Sequence, residues 1–480
     1  MRSALEIVPG SVRTWGRLPA CGPQPKKCSP EAHICRHKTR RWAGRPFLGP
    51  AGQLLSVCGA LVLLAFASPG GTTVAAELPN VLLIIGDDQG WGDFGFMGHP
   101  VIQTPALDRL ASESLVFTRG YVPSSLCRPS LATIVTGLYP HQHGITSNDP
   151  PLGLRREEFL RQRREQIACI ERVATLPRLL APRGYVSFQT GKWWEGSYRR
   201  GGFTDGMTHG DPRRGGRHGD EGLRIGREGL EPIYRFISGR GDRPFFIWYA
   251  PFLPHRPHNP PEQLLEYYRT RTDSIHVARY WAMCQWFDQT CGQLLDYLDR
   301  KGLADNTLVV FIVDNGWIQS PAKSGYAPRS KRSPNEGGIR TPIMLRWPGK
   351  IRPRRDDEHL AISIDLAPTI LTACGLKPTA QMQGINLMDP EAVGRRTTIF
   401  GEIFEHNAVD IHRPASSLQF RWCIDGWWKL IQPDPTNAPE AEVALYDLKD
   451  DPHENHNLTA QHKDRVTQMQ AMLDRWWPAR

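Results

Sequence analysis

The sequence predicts a doubly wound α/β sheet with helices on both faces, followed by a small antiparallel sheet that packs against a helix. Three observations carry this prediction. Short apolar runs recur along the first part of the chain without the polar alternation of a half-exposed strand. Helical patterns separate these runs, as in folds that alternate strand and helix. Beyond about residue 394 the runs are separated only by turn residues.

Four apolar runs supply the predicted strands of the main sheet, at residues 80–86, 185–190, 244–250 and 307–313. A helix is predicted to begin at Pro105 and to run to Phe117, because Pro is favoured in the first helical turn and apolar residues follow at helical spacing. Further helices are predicted at residues 173–183, 228–238, 277–301 and 364–374.

The C-terminal part is predicted to form a separate subdomain. Its candidate strands are residues 398–403, 418–424, 427–431 and 443–448, and a helix follows from about 461 to 477. We therefore predict an N-terminal extension over residues 1–76, an α/β domain over 77–393 and a C-terminal subdomain over 394–480. Residues 199–227, rich in Gly and Arg, are predicted to form a long loop over one face.

The positive charge of the chain is concentrated at its N-terminus. The 480 residues carry a formal net charge of +10, but ten Lys and Arg residues and only two acids lie in residues 1–76. The remainder therefore carries a net charge of only +2. Because a nucleic-acid-binding domain needs a basic face of its own, we expect no nucleic-acid partner.

An apolar run of fourteen residues, 54–67, follows the basic segment. The run is short for a membrane span and has the length of the apolar core of a signal peptide. Val74, Ala75 and Ala76 have the small side chains typical of a cleavage site. The sequence therefore predicts export, to the periplasm or the exterior, after cleavage near Ala76. An uncleaved membrane anchor is the alternative.

Polar residues follow each predicted strand of the main sheet. In open α/β sheets ligands bind beyond the carboxyl ends of the strands, so these residues are expected to meet. They are Asp87 and Asp88, Lys192, His255, and Asp314 and Asn315. A single Asp after a strand is commonly a turn former or a helix cap. Four such positions together favour a functional site.

Four of these residues offer only oxygen atoms: Asp87, Asp88, Asp314 and Asn315. An oxygen-only set suits Ca²⁺, or Mg²⁺ as the alternative, better than zinc. A divalent ion among three carboxylates would also accept oxygens from an anionic substrate. Lys192, His255 and Lys331 would add positive charge or proton donors around that anion.

Cys127 is predicted to lie at the N-terminus of a helix that Pro129 opens and Gly137 ends. The partial positive charge at a helix N-terminus favours anions and lowers the pKa of a thiol. A small buried cysteine next to a helix cap is the alternative interpretation.

Residues 127–137, CRPSLATIVTG, resemble the signature of the sulfatase family, Cys-x-Pro-Ser-Arg followed by Thr-Gly. Further blocks resemble the family's other motifs in the family's order. They are Asp87-Asp88, Gly191-Lys192-Trp193, Pro254-His255-Arg256-Pro257, Asp314-Asn315-Gly316 and the stretch from Lys331 to Pro342. Residues 425–430 and 445–458 are similar to the family's C-terminal subdomain. The ordered set is specific, and it resembles exported bacterial arylsulfatase-like members.

The resemblance implies an alkaline phosphatase-like fold with a mixed sheet, and hydrolysis of the sulfuric ester of a sulfated glycan or small molecule. In this family a maturation enzyme oxidises the signature cysteine to formylglycine, whose hydrate attacks sulfur. By the match, the residues around a Ca²⁺ ion would be Asp87, Asp88, Cys127, Asp314 and Asn315. Those around the sulfate would be Arg128, Lys192, His255 and Lys331, of which His255 or Lys331 would protonate the leaving oxygen.

Two positions depart from the family pattern. Leu131 stands where the family has an Arg that contacts the nucleophile region and is read by the maturation enzyme. Trp194 stands where the family usually has His, and the candidates to take its place are Arg128, His209 and His218. Two alternatives therefore stay open. One is a phosphoesterase or phosphonate hydrolase on the same scaffold, and the other is a sulfated-glycan binding protein in which the cysteine is never converted.

Overall fold

The computed structural model of the protein describes residues 78–214 and 216–479. The predicted signal peptide and its cleavage near Ala76 lie outside the described residues. Within the described ranges, no helix is both long enough and apolar enough to cross a bilayer. The strands are β1 (Asn80–Gly86), β2 (Leu115–Phe117), β3 (Gly120–Tyr121), β4 (Val186–Gly191), β5 (Asp205–Gly206), β6 (Phe245–Ala250), β7 (Thr307–Val313), β8 (Ile343–Arg346), β9 (Arg354–Asp356), β10 (Ala361–Ile362), β11 (Thr398–Phe404), β12 (Leu418–Asp425), β13 (Trp428–Pro433) and β14 (Ala444–Asp447).

The helices lie mostly between the strands of the main sheet, with the last one at the C-terminus. They are α1 (Pro105–Ser112), α2 (Cys127–Thr136), α3 (Pro140–His143), α4 (Arg156–Ala168), α5 (Leu176–Leu180), α6 (Glu231–Gly239), α7 (Glu262–Arg269), α8 (Ile275–Arg300), α9 (Glu336–Ile339), α10 (Leu366–Ala373), α11 (Pro390–Arg395) and α12 (Lys463–Trp476).

The main sheet has eight strands in the order β5-β4-β6-β1-β7-β8-β2-β9. The five strands from β5 to β7 are parallel, whereas β8 runs antiparallel to both of its neighbours. Strand β1 lies between β6 and β7, with Leu82 opposite Ile247 on one side and Val309 on the other. The order reverses around β1, so the mixed, doubly wound α/β fold is confirmed.

Side chains of the central strands are buried on both faces, which explains why their sequences lack polar alternation. In β1, Val81, Leu83 and Ile85 pack into the core that includes α2, α5 and α10. The intervening Leu82 and Ile84 pack into the opposite core, which includes α1, α6 and α8. Helices therefore cover both faces of the sheet, as predicted.

The C-terminal strands form an antiparallel sheet in the order β11-β12-β13-β14. Helix α12 covers it, with Met469 and Leu473 packed against Cys423, Leu430 and Leu445. The predicted small sheet with its closing helix is therefore confirmed. The boundary between the two domains at residues 393 and 394 stays a prediction.

One predicted element is wrong. The helix expected from Pro105 to Phe117 ends at Ser112, and the remaining residues form strand β2. Val116 and Phe117 pair with β8 on one side and β9 on the other. These apolar residues continued the helical spacing of the sequence, but their burial within the sheet favours the extended conformation.

Candidate active site

The carboxyl ends of four neighbouring parallel strands bring the predicted polar residues together. Asp87 and Asp88 follow β1, Lys192 follows β4, and Asp314 follows β7. The Lys192 Nζ atom lies 2.6 Å from Asp87 Oδ1 and 3.7 Å from Asp314 Oδ2. The segment after β6 also reaches this edge, because Pro254 forms a bridge with Asp87 and His255 comes next. These contacts join segments that the sequence placed at the same edge.

Asp88 is the centre of the cluster. Its Oδ1 accepts hydrogen bonds from Lys331 Nζ at 2.5 Å and from Asn315 Nδ2 at 2.7 Å. Its backbone N–H donates to Asp314 Oδ1 at 3.1 Å. The residue has a φ of 64°, a conformation that is uncommon outside Gly and is typical of constrained functional positions. The left-handed turn places the two successive carboxylates in one group.

Four buried oxygen atoms in this cluster have no hydrogen-bond partner among the described residues. They are Asp87 Oδ2, Asp88 Oδ2, Asp314 Oδ2 and Asn315 Oδ1, one from each member of the predicted oxygen set. Buried polar atoms are ordinarily satisfied, so each exception calls for a reason such as an ion. The ligand atoms of Asp87, Asp88, Cys127 and His255 also lie within 4.8 Å of one another. The donor set therefore fits a divalent cation that prefers oxygen.

Charge and burial oppose each other strongly at this edge. Burial raises the pKa of Asp87 well above its ordinary value, although Lys192 acts to lower it. Burial also acts to raise the pKa of Asp88, but Lys331, His255 and Lys192 together outweigh that effect and the pKa is lowered. Burial raises the pKa of Asp314. Like charges and desolvation together make such a cluster costly unless cations accompany it.

Cys127 is the first residue of α2 and is 2% exposed. Its Sγ lies 2.9 Å from Lys331 Nζ and 4.0 Å from Asp88 Oδ1. Burial raises the pKa of the thiol to about 12, although Lys192 and Lys331 act to lower it. The expected lowering of this pKa is therefore wrong, because desolvation exceeds the opposing effect of Lys192 and Lys331. An unmodified Cys127 is protonated at neutral pH.

His255 approaches the carboxylate oxygen of Asp88 that Lys331 does not bind. Its Nε2 lies 3.4 Å from Asp88 Oδ2. Its Nδ1 is 2.6 Å from the carbonyl oxygen of Arg256, and a carbonyl can only accept, so Nδ1 carries the proton. Burial and the nearby Lys192 lower the pKa of His255 well below its ordinary value. The neutral ring therefore presents Nε2 without a proton to the site.

A cavity of about 300 Å³ opens over Cys127. The residues that line it are Asp88, Cys127, Asn148, Trp194, Arg217, His218, His255, Arg256, Trp317, Tyr326, Lys331, Arg332 and His406. Sequence reasoning did not single out Asn148, Tyr326, Arg332 and His406 as cavity residues. Asn148, Tyr326 and His406 lie outside the matched motifs, whereas Arg332 lies within the stretch from Lys331 to Pro342. The loop predicted over residues 199–227 contributes Arg217 and His218 to the lining.

His218 is the one of the three suggested replacements that lies beside Trp194 in the cavity. The ring centroids of Trp194 and His218 are 5.2 Å apart, edge to face. His209 packs instead against Tyr198. Leu131 is buried in the core of the α2 face and carries no polar group into the site.

Arg128 lies next to Cys127 in sequence, yet its side chain does not line the cavity. Its Nε and one terminal nitrogen donate to the two carboxylate oxygens of Glu195, at 2.8 and 2.7 Å. The other terminal nitrogen donates to Gln166 Oε1 and to the carbonyl of Asn148. A guanidinium bound in this bidentate way is fixed in place. We therefore leave Arg128 out of the sulfate contacts proposed below.

Comparison with known proteins gives these residues a family. Residues 79–376 match the family model described as Sulfatase, and residues 327–476 match the one described as N-sulphoglucosamine sulphohydrolase, C-terminal. Arylsulfatase A of Homo sapiens is 30% identical over 464 residues, which cover 83% of this chain and 86% of that protein. N-acetylgalactosamine-6-sulfatase of Homo sapiens is 30% identical over 366 residues, 68% of each protein.

Solved structures agree with the fold. BT4656 in complex with D-glucosamine-2-N,6-O-disulfate has a TM-score of 0.66 at 19% identity and covers 84% of this chain and 98% of that one. The phosphonate monoester hydrolase of Agrobacterium radiobacter has a TM-score of 0.58 at 19% identity, covering 82% and 94%. The family match spans more than half of the sequence, and the chain therefore belongs to the sulfatase family and is a sulfuric ester hydrolase.

Proposed function

We propose that the protein releases inorganic sulfate from a sulfated carbohydrate, by means of a formylglycine formed from Cys127 and a Ca²⁺ ion held by Asp87, Asp88, Asp314 and Asn315. The single observation that carries this proposal is the group of four unpartnered, buried oxygen atoms beside Cys127 and Lys331. The group provides a place for a cation next to a place for a nucleophile.

The oxygen set supports Ca²⁺ over a softer metal. Cys127 and His255 also lie in the cluster, but the four atoms that lack a hydrogen-bond partner are all oxygens. Three carboxylates and one amide oxygen suit a hard cation. When bound, such an ion would attract sulfate oxygens and offset their developing charge. Lys331 pairs with Asp88 and lines the cavity, so we propose that it contacts sulfate oxygens. Lys192 pairs with Asp87 and lies outside the cavity lining, so its proposed part is to offset the charge of that carboxylate.

Conversion of Cys127 is supported by its protonation state. A thiol with a pKa raised to about 12 is a weak nucleophile at neutral pH, because the reactive form is the thiolate. Formylglycine supplies instead a hydrated aldehyde, whose hydroxyl serves as the nucleophile. Lys331, at 2.9 Å from the sulfur, supplies positive charge beside the nucleophile.

Proton donation to the leaving oxygen falls to Lys331 or His255, which both line the cavity. Lys331 carries its proton in the structure, since Asp88 and Cys127 outweigh burial and raise its pKa. His255 is neutral, and a bound sulfate would favour its protonated form because a nearby negative charge raises the pKa of a histidine. Either residue would contact the leaving oxygen directly.

A carbohydrate substrate is supported by the relatives and by the cavity. An Endo-4-O-sulfatase of Bacteroides thetaiotaomicron is 26% identical over 418 residues, 73% of this chain and 78% of that protein. The structure of Ps i-CgsB in complex with k-i-k-neocarrahexaose has a TM-score of 0.67 at 23% identity, covering 84% and 94%. Trp194, Trp317 and Tyr326 line the cavity here, and aromatic rings of this kind pack against apolar faces of ligands.

Mass spectrometry of the tryptic peptide 120–155, from protein purified from its own host, tests the nucleophile. The proposal expects the mass of the aldehyde or of its hydrate at Cys127. Detection of the unmodified thiol alone would exclude the formylglycine mechanism. Turnover of an aryl sulfate, an aryl phosphate and an aryl phosphonate, each with and without EDTA, then tests the reaction. Faster turnover of the phosphate or the phosphonate would favour the alternative hydrolases.

We further propose that the chain acts after export. The support is the apolar run at residues 54–67 and the small residues up to Ala76. N-terminal sequencing of the protein from its host should begin near Glu77. A chain that retains residues 54–67 would support a membrane anchor instead.

A further inference from the structure

The cavity over Cys127 has an unusually basic lining. Four of its residues carry a permanent positive charge, Arg217, Arg256, Lys331 and Arg332, while Asp88 is its single acidic residue among those described. Acidic partners neutralise two of the four. Lys331 pairs with Asp88, and Arg217 pairs with Asp149. The other two arginines have no carboxylate partner in the described ranges, so the lining has more positive charge than the scissile sulfate alone requires.

Arg332 is held in an unusual backbone conformation next to the nucleophile. Its φ is 69°, a left-handed value that costs a long side chain on the order of 1 kcal/mol or more. Its backbone N–H donates to the carbonyl of Ser125 at 2.9 Å, and Ser125 Oγ donates to the carbonyl of Ser333 at 2.8 Å. These bonds connect the Arg332 turn to the segment that leads into Cys127, so the spacing between them is fixed.

The guanidinium of Arg332 has no structural role of the usual kind. Its Nε is buried without a hydrogen-bond partner, and none of its side-chain nitrogens has an acceptor among the described residues. Arg128 shows the contrast, because Glu195, Gln166 and a backbone carbonyl bind its side chain. An arginine that stabilises the fold is satisfied in that way. Arg332 instead lines a cavity with its side-chain donors unused.

A second depression, of about 450 Å³, shares Arg332 and His406 with the cavity over Cys127. Pro151, Leu152, Glu405 and residues 407–409 form the rest of its lining, and Glu405 Oε1 accepts a hydrogen bond from Gln419. His406 is tied by its neighbours, with Nδ1 2.7 Å from Asn407 Oδ1 and Nε2 3.3 Å from Asn148 Nδ2. Arg332 is therefore the permanent cation at the junction of the two spaces.

We propose that Arg332 binds a second anionic group of the substrate, a carboxylate or a further sulfate, on the sugar ring next to the one whose ester is hydrolysed. This assignment rests on the proposed function, since it takes Cys127 as the place of the scissile sulfate. The planar guanidinium donates paired hydrogen bonds that match the oxygens of either group. Arg256 is exposed, lies over the ring of Trp317 and donates to the carbonyl of Ser324, so it is the less available of the two unpaired arginines.

Calorimetric titration of a Cys127→Ala protein measures the subsite without turnover. The ligands are disaccharides of matched structure, each sulfated at O4 or at O6 of the first ring. The second ring is a neutral hexose, the corresponding uronic acid, or the hexose with its own sulfate. We expect the dianionic ligands to bind at least about 10-fold more tightly than the neutral-ring ligand, as one charge-assisted contact provides. The uronate and disulfate arms identify which anion is preferred.

Replacement of Arg332 tests whether that residue causes the gain in affinity for the dianionic ligands. In the Cys127→Ala protein we expect Arg332→Gly to remove the gain and Arg332→Lys to keep part of it. Glycine suits the positive φ, so this variant removes the side chain without straining the backbone. The matched control is Arg235→Met, which removes an exposed arginine that does not line this cavity and should leave the gain intact.

Three results would overturn the assignment. The first is that all ligands bind with the same affinity, or that none binds measurably. The second is that the tighter binding of the dianionic ligands survives Arg332→Gly. The third is that Arg332→Gly weakens the binding of the mono- and dianionic ligands equally. The proposed function has its own readout, aryl sulfate turnover by the mature protein. If Arg332 causes the gain in affinity but the mature protein does not turn over aryl sulfate, the subsite is supported and the proposed reaction is contradicted.

Discussion

The Nζ atom of Lys331 lies 2.9 Å from the Sγ of Cys127 and 2.5 Å from Asp88 Oδ1. One ammonium therefore connects the position of the nucleophile with the proposed metal site. The residue is 204 positions away from Cys127 in the sequence, so only the folded sheet brings them together.

Replacement of Lys331 should reduce the chemical step. We expect Lys331→Met to lower kcat for an aryl sulfate by roughly 10²–10³-fold, the usual cost of removing one preorganised donor from a charge-stabilising site. Steady-state kinetics measure this, with Lys323→Met, an exposed lysine of the same loop, as control. A Lys331→Met enzyme with unchanged kcat would show that another group stabilises the charge.

Calcium should stabilise the fold through the oxygen cluster. We expect the Tm of the wild-type protein to rise with added Ca²⁺, because an ion that binds only the folded state adds about 2.7 kcal/mol at a hundred times its Kd. Asp314→Ala should abolish this rise. Differential scanning calorimetry with and without Ca²⁺ measures it.

The control for that experiment is Asp288→Asn. Asp288 is a buried carboxylate on α8 that accepts hydrogen bonds from the backbone N–H groups of Ala106 and Leu107. The variant should keep the Ca²⁺-dependent rise, whatever its own Tm. An equal rise in Asp314→Ala would place the ion elsewhere.

Acid should destabilise the protein through His143. Burial lowers the pKa of this histidine to about 3, and its Nδ1 accepts a hydrogen bond from the backbone N–H of Ile145 at 3.1 Å. In the unfolded chain this histidine binds a proton near pH 6.5. Its contribution to the free energy of unfolding is therefore fully present above that pH and is lost as the pH decreases from 6.5 toward 3. One proton gives a slope of about 1.4 kcal/mol per pH unit.

Urea unfolding of the wild type and of His143→Asn at several pH values between 7.5 and 4 measures this slope. The variant should show a shallower dependence, since Asn offers an acceptor that does not titrate in this range. His462→Asn, at an exposed position, should behave as the wild type. A wild-type slope retained in His143→Asn would assign the acid sensitivity to other groups.

A buried ion-pair network joins the C-terminal sheet to the segment after Lys331. Lys429 Nζ, on β13, lies 3.0 Å from Glu336 Oε1 and 2.7 Å from Glu454 Oε1, with all three side chains buried. We expect Lys429→Met to lower the free energy of unfolding by about 3–5 kcal/mol, because it removes the buried cation that the two carboxylates share. Arg340 and Arg329 remain beside their other oxygens. Urea unfolding compares it with Lys449→Met, an exposed lysine. A loss equal to that of the control would contradict the network's role.

Much of the sheet could be predicted because its central strands are buried on both faces. Asn80–Gly86 and Thr307–Val313 were predicted with their observed bounds, since uninterrupted apolar runs identify such strands. Residues 115–117 could not be assigned, because they continue the spacing of the helix before them. Their extended form depends on pairing with β8 and β9, which lie far away in the sequence.

The same distinction separates the predictable and unpredictable parts of the site. The oxygen set follows strand ends, and strand ends of a parallel sheet share one edge, so Asp87 and Asp314 could be placed together. The position of the Arg332 side chain could not be predicted, because it depends on a left-handed turn and on a backbone hydrogen bond to Ser125. Nor does the sequence reveal that Glu195 binds Arg128, since their contact joins two segments that form no common motif.

The long sequence separations within the cluster set an order of events for the growing chain. Asp87 meets Lys192 across 105 residues, Asp88 meets Asn315 across 227, and Asp88 meets Lys331 across 243. Most of the chain must therefore be synthesised before the cluster can form. Any enzyme that needs an accessible thiol at Cys127 must act during that interval, because the completed fold leaves the residue 2% exposed.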